Sequence, residues 1–192
     1  MRYAFLLFCL PVCFGQTTAT DPYLKNDLGA GFRYEVKLGQ NSYYLGNAPG
    51  YSLRYSHRPL PWLALEAGLE QIPRPIGRSV CCRYVSSAGD ELFLVPFGAR
   101  YVYEPGERRL RLSAGGGGAY MNHTISEDVF PNGPLDYRSG WGGQFVAAGD
   151  YGLTRSGRFR VGVTGRYYYI RVGPYQTARI FTVGPDFTFS FR

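Results

Sequence analysis

Residues 180–191 read Ile-Phe-Thr-Val-Gly-Pro-Asp-Phe-Thr-Phe-Ser-Phe, with an apolar side chain, most often Phe, at every second position. Successive side chains of a β-strand point to opposite faces of its sheet, so this alternation predicts a strand with one apolar and one polar face. The same pattern occurs at 62–70 and at 158–169. The chain is therefore expected to contain long strands whose two faces differ in polarity.

The composition agrees with a chain made of strands. Of the 192 residues, 26 are Gly, 17% are aromatic and only 18% are charged. The glycines follow no Gly-X-Y period, which excludes a collagen-like chain, and 45% hydrophobic content is too high for a disordered one. Gly, Tyr, Phe, Val and Thr are poor helix formers, which disfavours a helical bundle. The length predicts one domain, or one with a short appendage, and the composition predicts that it is all-β.

Continued along the chain, the pattern predicts eight strands: 29–38, 51–57, 62–71, 92–103, 109–120, 140–151, 158–170 and 179–191. A ten-residue strand extends about 33 Å, and a tilt of about 40° reduces this height to about 25 Å, the apolar thickness of an outer membrane. Long connections (39–50, 72–91, 121–139, 171–178) alternate with short ones (58–61, 104–108, 152–157). We therefore predict an eight-stranded antiparallel up-and-down transmembrane β-barrel over 29–192, with both termini and the short turns on one rim.

The charged residues of the strands fall on the faces opposite the apolar rows. In a soluble barrel those rows would point inward, whereas in a membrane barrel they point outward and the charges lie inside. Aromatic residues near strand ends, such as Tyr101, Tyr120 and Trp141, favour the membrane arrangement because they resemble an interfacial girdle. Buried charges persist only when paired. We therefore predict an interior charge network of Arg33, Glu35, Arg54, Glu66, Glu70, Arg100, Arg111, Arg166 and Asp186.

The N-terminus has the pattern of a secretory signal peptide. Arg2 precedes an apolar run at 3–14, and the small residue Gly15 marks a cleavage site. We predict a signal peptide at 1–15, followed by an N-terminal periplasmic segment at 16–28. Two cysteines then remain, the adjacent Cys81 and Cys82, whose redox state the sequence does not define. With no CxxC pair or nearby His, no zinc site is predicted.

Three features carry a resemblance to a known group: the N-terminal leader, the strand Leu-Val-Pro-Phe-Gly-Ala-Arg-Tyr at 94–101, and the terminal Phe-Thr-Phe-Ser-Phe at 187–191. The chain resembles the small eight-stranded outer-membrane β-barrel proteins, among them the transmembrane domain of outer-membrane protein A. The resemblance covers the whole chain after the leader and implies a bacterial outer-membrane location. It also implies that the outer-membrane assembly machinery reads the last strand, although here Arg192 follows Phe191.

Catalysis is not predicted. Some barrels of this kind modify lipid A with a His, a Ser and an acidic residue, but this chain has only two His. His57 is expected at the short-turn rim, away from outer-leaflet lipid A. His123, with Thr124 and the Ser126-Glu127-Asp128 run, lies in a predicted flexible loop that rarely fixes catalytic geometry. We predict no cofactor and no metal, and assign the four glycines at 115–118 to close packing or a kink in the barrel wall.

The predicted function is a structural or surface-interaction role in the outer membrane. A narrow porin-like channel for small polar or amphipathic solutes and a soluble lipocalin-like ligand-binding barrel are the alternatives. Expected partners are outer-membrane lipids and lipopolysaccharide, which Arg74, Arg78 and Arg83 of the loop at 72–91 would face, the assembly machinery, and an unidentified extracellular ligand. Nucleic acid is not expected, because the basic residues are not clustered. The net charge of +7 is attributed to arginines in the interior and at the rims.

Overall fold

The computed structural model describes residues 24–38, 48–81, 84–105, 109–126, 135–154, 156–172 and 176–192. Eight antiparallel strands close into a barrel in chain order, and β1 pairs with β8. The predicted fold class is therefore confirmed. The signal peptide at 1–15 and most of the segment at 16–28 lie outside the described residues. The strands are β1 (Asn26–Lys37), β2 (Ala48–Leu60), β3 (Leu63–Cys81), β4 (Tyr84–Tyr103), β5 (Leu110–Ser126), β6 (Leu135–Gly152), β7 (Phe159–Val172) and β8 (Gln176–Phe191).

Most strands extend further towards the long-connection rim than the sequence pattern predicted. Residues 72–91 were expected to form a long loop, but β3 and β4 pair as far as Cys81 and Tyr84, with a register shift between Arg74 and Gly77. The predicted loop at 121–139 is shortened in the same way, since β5 and β6 pair up to Ser126. Alternation reveals a strand only where its two faces differ in polarity in the expected way, and beyond Tyr120 the described outward positions, Asn122 and Thr124, are polar.

The apolar rows face outward and the charged rows face inward. Phe145 and Phe32 are 70% and 67% exposed on the outer wall, whereas Glu35 and Thr182 are fully buried inside. A soluble lipocalin-like barrel requires the opposite arrangement, with an apolar interior and a polar surface. The outer wall instead has the polarity of a membrane barrel. No helix in the described part of the chain is long and apolar enough to cross a membrane.

Aromatic side chains form two bands on the outer wall, one near each rim. Trp62 lies 6.4 Å from Tyr101 near the short-connection rim, and Trp141 lies 4.9 Å from Tyr120 near the other, measured between ring centres. Trp141 and Tyr151 are ten residues apart on β6. Ten residues of strand tilted by about 40° span about 25 Å, so the two bands are separated by the thickness of an outer-membrane apolar layer.

The run of glycines in β5 brings this strand close to β4. A Cβ atom on Gly115 would lie 2.6 Å from the Cα of Arg100, and one on Gly117 would lie 3.0 Å from the carbonyl carbon of Phe97. On the outer wall, the Phe97 ring covers Gly118, where a Cβ would lie 2.7 Å from its Cε2. The glycines therefore allow a close approach of the two strands, in agreement with the structural role predicted for them.

We expect Gly117→Ala to destabilise the barrel by about 1–3 kcal/mol, because the methyl group must push β4 and β5 apart. The measurement is the urea midpoint of unfolding in detergent micelles. Gly143→Ala is the matched control, since a Cβ there meets only the Gly117 carbonyl oxygen at 3.7 Å. Equal midpoints for the two variants would contradict the close-approach account.

Candidate functional site: the interior of the barrel

The middle of the barrel interior holds a central cluster of four arginines and three carboxylates (Arg33, Arg54, Arg100, Arg166, Glu66, Glu70 and Asp186). The Arg33 Nε lies 3.3 Å from Glu70 Oε1, and its Nη2 lies 2.7 Å from Asp186 Oδ1. Arg54 Nη1 lies 3.8 Å from the other oxygen of Asp186. Each of these four side chains is at most 8% exposed, so the ion pairs are shielded from bulk water.

Arg166 on β7 connects the central cluster to the other side of the barrel. Its Nε lies 3.1 Å from Glu70 Oε1, and its Nη1 lies 3.1 Å from Glu66 Oε1. Arg100 forms a second ion pair with Glu66. In a closed ring of eight strands, β7 and β3 are four strands apart and face each other across the bore. The Arg166 bridge therefore crosses the interior instead of running along the wall.

Neutral side chains add hydrogen bonds to the central cluster. The Thr182 hydroxyl donates to Glu70 Oε2 at 2.9 Å, and Arg166 Nη1 donates to Gln144 Oε1 at 2.8 Å. Arg54 Nη2 donates to the Thr188 hydroxyl at 3.0 Å. Further hydrogen bonds to the polar atoms of a buried ion pair offset the cost of its burial, and these side chains supply some of them, although Arg54 Nε and Arg100 Nε have no hydrogen-bond partner among the described residues.

A second group of charges, the rim cluster, closes the short-connection end (Asp27, Arg58, Glu104, Arg111, Asp150 and Arg160). Glu104 Oε1 accepts from Arg58 Nη1 at 3.0 Å and from Arg111 Nε at 2.7 Å, and Arg160 Nη2 lies 3.7 Å away. Arg111 Nη1 also donates to Asp27 Oδ2 at 2.9 Å. Because β5 and β1 are also four strands apart, the contact of Arg111 with Asp27 is a second bridge across the bore.

Glu104 stays ionised at this end. Burial raises the pKa of Glu104, but the charges of Arg111 and Arg58 lower it by more, so the pKa lies below the ordinary value for Glu. The carboxylate thus holds three guanidinium groups together at any near-neutral pH.

The described interior is nearly balanced in charge. Seven buried arginines lie with six buried carboxylates, and the half-buried Glu104 and Arg138 add one charge of each sign. The interior that the structure describes therefore has an excess of one positive charge, so most of the net charge of +7 lies elsewhere in the chain.

Towards the long-connection rim the interior becomes apolar. A cluster of fully or nearly fully buried side chains fills this end: Ala48, Ile72, Leu92, Leu94, Ala119, Met121, Tyr168, Ile170, Ala178 and Ile180. The sequence pattern predicts a polar interior throughout, and this cluster corrects that prediction. The sequence does contain a sign of this cluster, because Ile72 lies on the same face of β3 as Glu66 and Glu70. The charged residues of that face led to the prediction that all of it is polar.

The predicted network residues divide between these groups. Seven of the nine belong to the central cluster: Arg33, Arg54, Glu66, Glu70, Arg100, Arg166 and Asp186. Arg111 lies instead in the rim cluster, and Glu35 is fully buried in the interior. The network prediction omitted the other rim-cluster residues. Asp27, Arg58 and Glu104 fall in segments assigned to a linker and to turns, although Arg58 continues the inward face of Arg54.

The two histidines face opposite sides of the barrel wall. His57 lies on the outer surface of β2, with its Nδ1 3.0 Å from Asn26 Oδ1. His123 was predicted to lie in a flexible loop. The structure instead places it on β5, with its side chain buried in the interior. Glu127 and Asp128 lie outside the described residues. Within the described ranges, no three His, Cys, Asp or Glu side chains are grouped as they would be around a metal ion.

No protein-family model and no curated protein sequence matches the chain. Solved structures do match it. Ail, the attachment invasion locus protein of Yersinia pestis, superposes with a TM-score of 0.57 at 16% identity, over 86% of this chain and 99% of Ail. Ail is also known in complex with the heparin analogue sucrose octasulfate.

Two further solved structures match the chain. Neisserial surface protein A gives a TM-score of 0.56 at 13% identity, over 88% of this chain and 97% of that protein. The N-terminal β-barrel domain of Pseudomonas aeruginosa OprF gives 0.53 at 12% identity, over 87% and 100%. Identities this low establish a common fold and nothing finer. The chain therefore has the fold of the small eight-stranded outer-membrane β-barrels, as its sequence pattern predicted.

Proposed function

We propose that this chain is an integral bacterial outer-membrane protein with a structural or surface-interaction role, closed to solutes and without catalysis. The observation that carries the proposal is the pair of bridges across the bore, Arg166 to Glu66 and Glu70, and Arg111 to Asp27. An eight-stranded barrel is only wide enough to be filled by its own side chains. Here the filling consists of ion pairs that hold opposite walls together.

The outer wall supports the membrane location. Large apolar side chains such as Phe145, Phe32 and Leu53 are 55–70% exposed, and an outer wall of this kind is stable only in contact with lipid. The two aromatic bands lie where the interfaces of the bilayer would be.

The ends of the strands beyond the apolar wall support a role in external contacts. β3 and β4 remain paired up to Cys81 and Tyr84, and β5 and β6 up to Ser126 and Leu135. These hairpins project past the aromatic band that contains Trp141. The similarity to Ail, a protein named for attachment and invasion, agrees with such a role.

The alternative of a narrow channel for small polar or amphipathic solutes is less well supported. A conducting path would have to pass both bridges and the apolar cluster at the long-connection end. The side chains of that cluster are at most 6% exposed, so they are packed against one another and not against water.

The membrane location is tested by expressing the full-length chain in a Gram-negative bacterium. We expect the protein in the outer-membrane fraction after alkaline carbonate extraction, with a gel mobility that changes on heating because the barrel resists detergent until heated. A periplasmic or extracellular soluble protein with a mobility independent of heating would refute the proposal.

The closed interior is tested in planar lipid bilayers. We expect the wild-type protein to show no single-channel currents. The triple variant Glu66→Ala/Glu70→Ala/Arg166→Ala removes one bridge only. Once it shows the heat-dependent mobility of a folded barrel it should also show no currents, because the Arg111–Asp27 bridge and the apolar cluster still close the bore. Steady channels from the wild-type protein would favour the porin-like alternative, whether or not the triple variant folds.

The rim cluster gives a pH-dependent prediction. We expect Glu104→Gln to lower the unfolding free energy at pH 7 by about 1.5–3 kcal/mol, because three arginines lose a charged acceptor. The pKa of Glu104 in the folded protein lies below its unfolded value of about 4.3. The difference in unfolding free energy between wild type and variant is therefore complete above a pH of about 4.3, and it is lost as the pH falls through the pKa of the folded protein. Urea midpoints of both proteins from pH 7 to pH 3 measure it. A difference that stays constant over this range would exclude Glu104 as its source.

A further inference from the structure

Two exposed arginines lie on the outer wall close to the long-connection rim. Arg171 is on β7 and Arg179 on β8, and both side chains face away from the bore. The guanidinium carbon of Arg179 lies 5.8 Å from the ring centre of Tyr169, its register partner on β7. Arg171 is opposite Trp141 on β6, a side chain that is 64% exposed. The arginines therefore lie at the level of the aromatic band.

The register places the two arginines close enough to share one ligand. Arg171 is opposite Thr177, and Arg179 is opposite Tyr169, so the arginines are diagonal neighbours on one face of a strand pair. Diagonal neighbours on one face are about 7–8 Å apart, a distance that two long side chains can close. Guanidinium groups bind phosphate through paired hydrogen bonds.

The positive charge of the described outer wall lies on one side. Among the outward-facing strand side chains that the structure describes, Arg171 and Arg179 are the basic ones and Glu91 is the acidic one. Glu91 lies on the opposite side at the same rim, where it accepts a hydrogen bond from Gln71, which in turn accepts one from Tyr51.

We infer that Arg171 and Arg179 form a docking site for the phosphate groups of lipid A. The inference rests on the proposed outer-membrane location, which sets this rim at the outer leaflet. Lipid A carries its phosphates directly above its acyl chains. In this site the two guanidinium groups would contact a phosphate, while Tyr169 and Trp141 lie beside the upper part of the chains, where aromatic side chains are favoured.

The test uses the refolded full-length barrel in phosphatidylcholine nanodiscs that contain lipid A, dephosphorylated lipid A or phosphatidylglycerol. The measured quantities are the temperature at which the folded gel band disappears and the Kd for lipid A. For the wild-type protein we expect lipid A to raise this temperature more than the two other lipids do. Arg171→Gln/Arg179→Gln should lose most of this rise and bind lipid A about tenfold more weakly or worse.

Arg158→Gln is the matched control, because Arg158 is an exposed arginine next to β7 at the other rim. It should keep the full effect of lipid A. An equal rise with phosphatidylglycerol or with dephosphorylated lipid A, or a full rise in the double variant, would overturn the inference. The proposed function is tested independently of this site, by fractionation, and it would be refuted if the protein were absent from the outer-membrane fraction.

Discussion

The ion pairs of Arg166 with Glu66 and Glu70 join opposite walls of the barrel, and the rest of the interior depends on this kind of contact. A charge taken out of water costs several kcal/mol unless an opposite charge and hydrogen bonds replace the water. The chain largely meets that requirement with nearly equal numbers of arginines and carboxylates inside, and with threonines and Gln144 bonded to some of their polar atoms. Breaking one pair would leave the partner buried and unpaired, which is more costly than never having had the pair.

Two glycines of β1 follow from the same requirement. Long arginine side chains fill the bore only if the wall beneath them carries small residues. A Cβ on Gly29 would lie 3.2 Å from Arg54 Nη2, and one on Gly31 would lie 2.9 Å from Arg33 Nη1. The glycines of β1 thus make room for arginines on their own and on the neighbouring strand. At these positions glycine and arginine occur together for one reason.

Much of this could be predicted from the sequence, because a strand between lipid and a charged interior has a strict two-residue period. That period located all eight strands and the inward face of each. It did not predict the strand ends that extend beyond the apolar outer face. Residues 72–91 pair as strands through their backbones, which the side-chain pattern does not report. The contacts of Arg111 with Asp27 and Glu104 depend on which strands face each other across a closed ring, and a linear pattern does not contain that information.

The seam between the first and last strands has a consequence for how the barrel assembles. Asp186 on β8 is neutralised by Arg33 on β1 and Arg54 on β2, the two strands that are synthesised first. Until β8 joins β1, an open sheet therefore exposes unpaired charges of both signs along the surface that will become its bore. Exposing such charges to lipid is unfavourable, so we expect closure of the ring and entry into the membrane to be coupled.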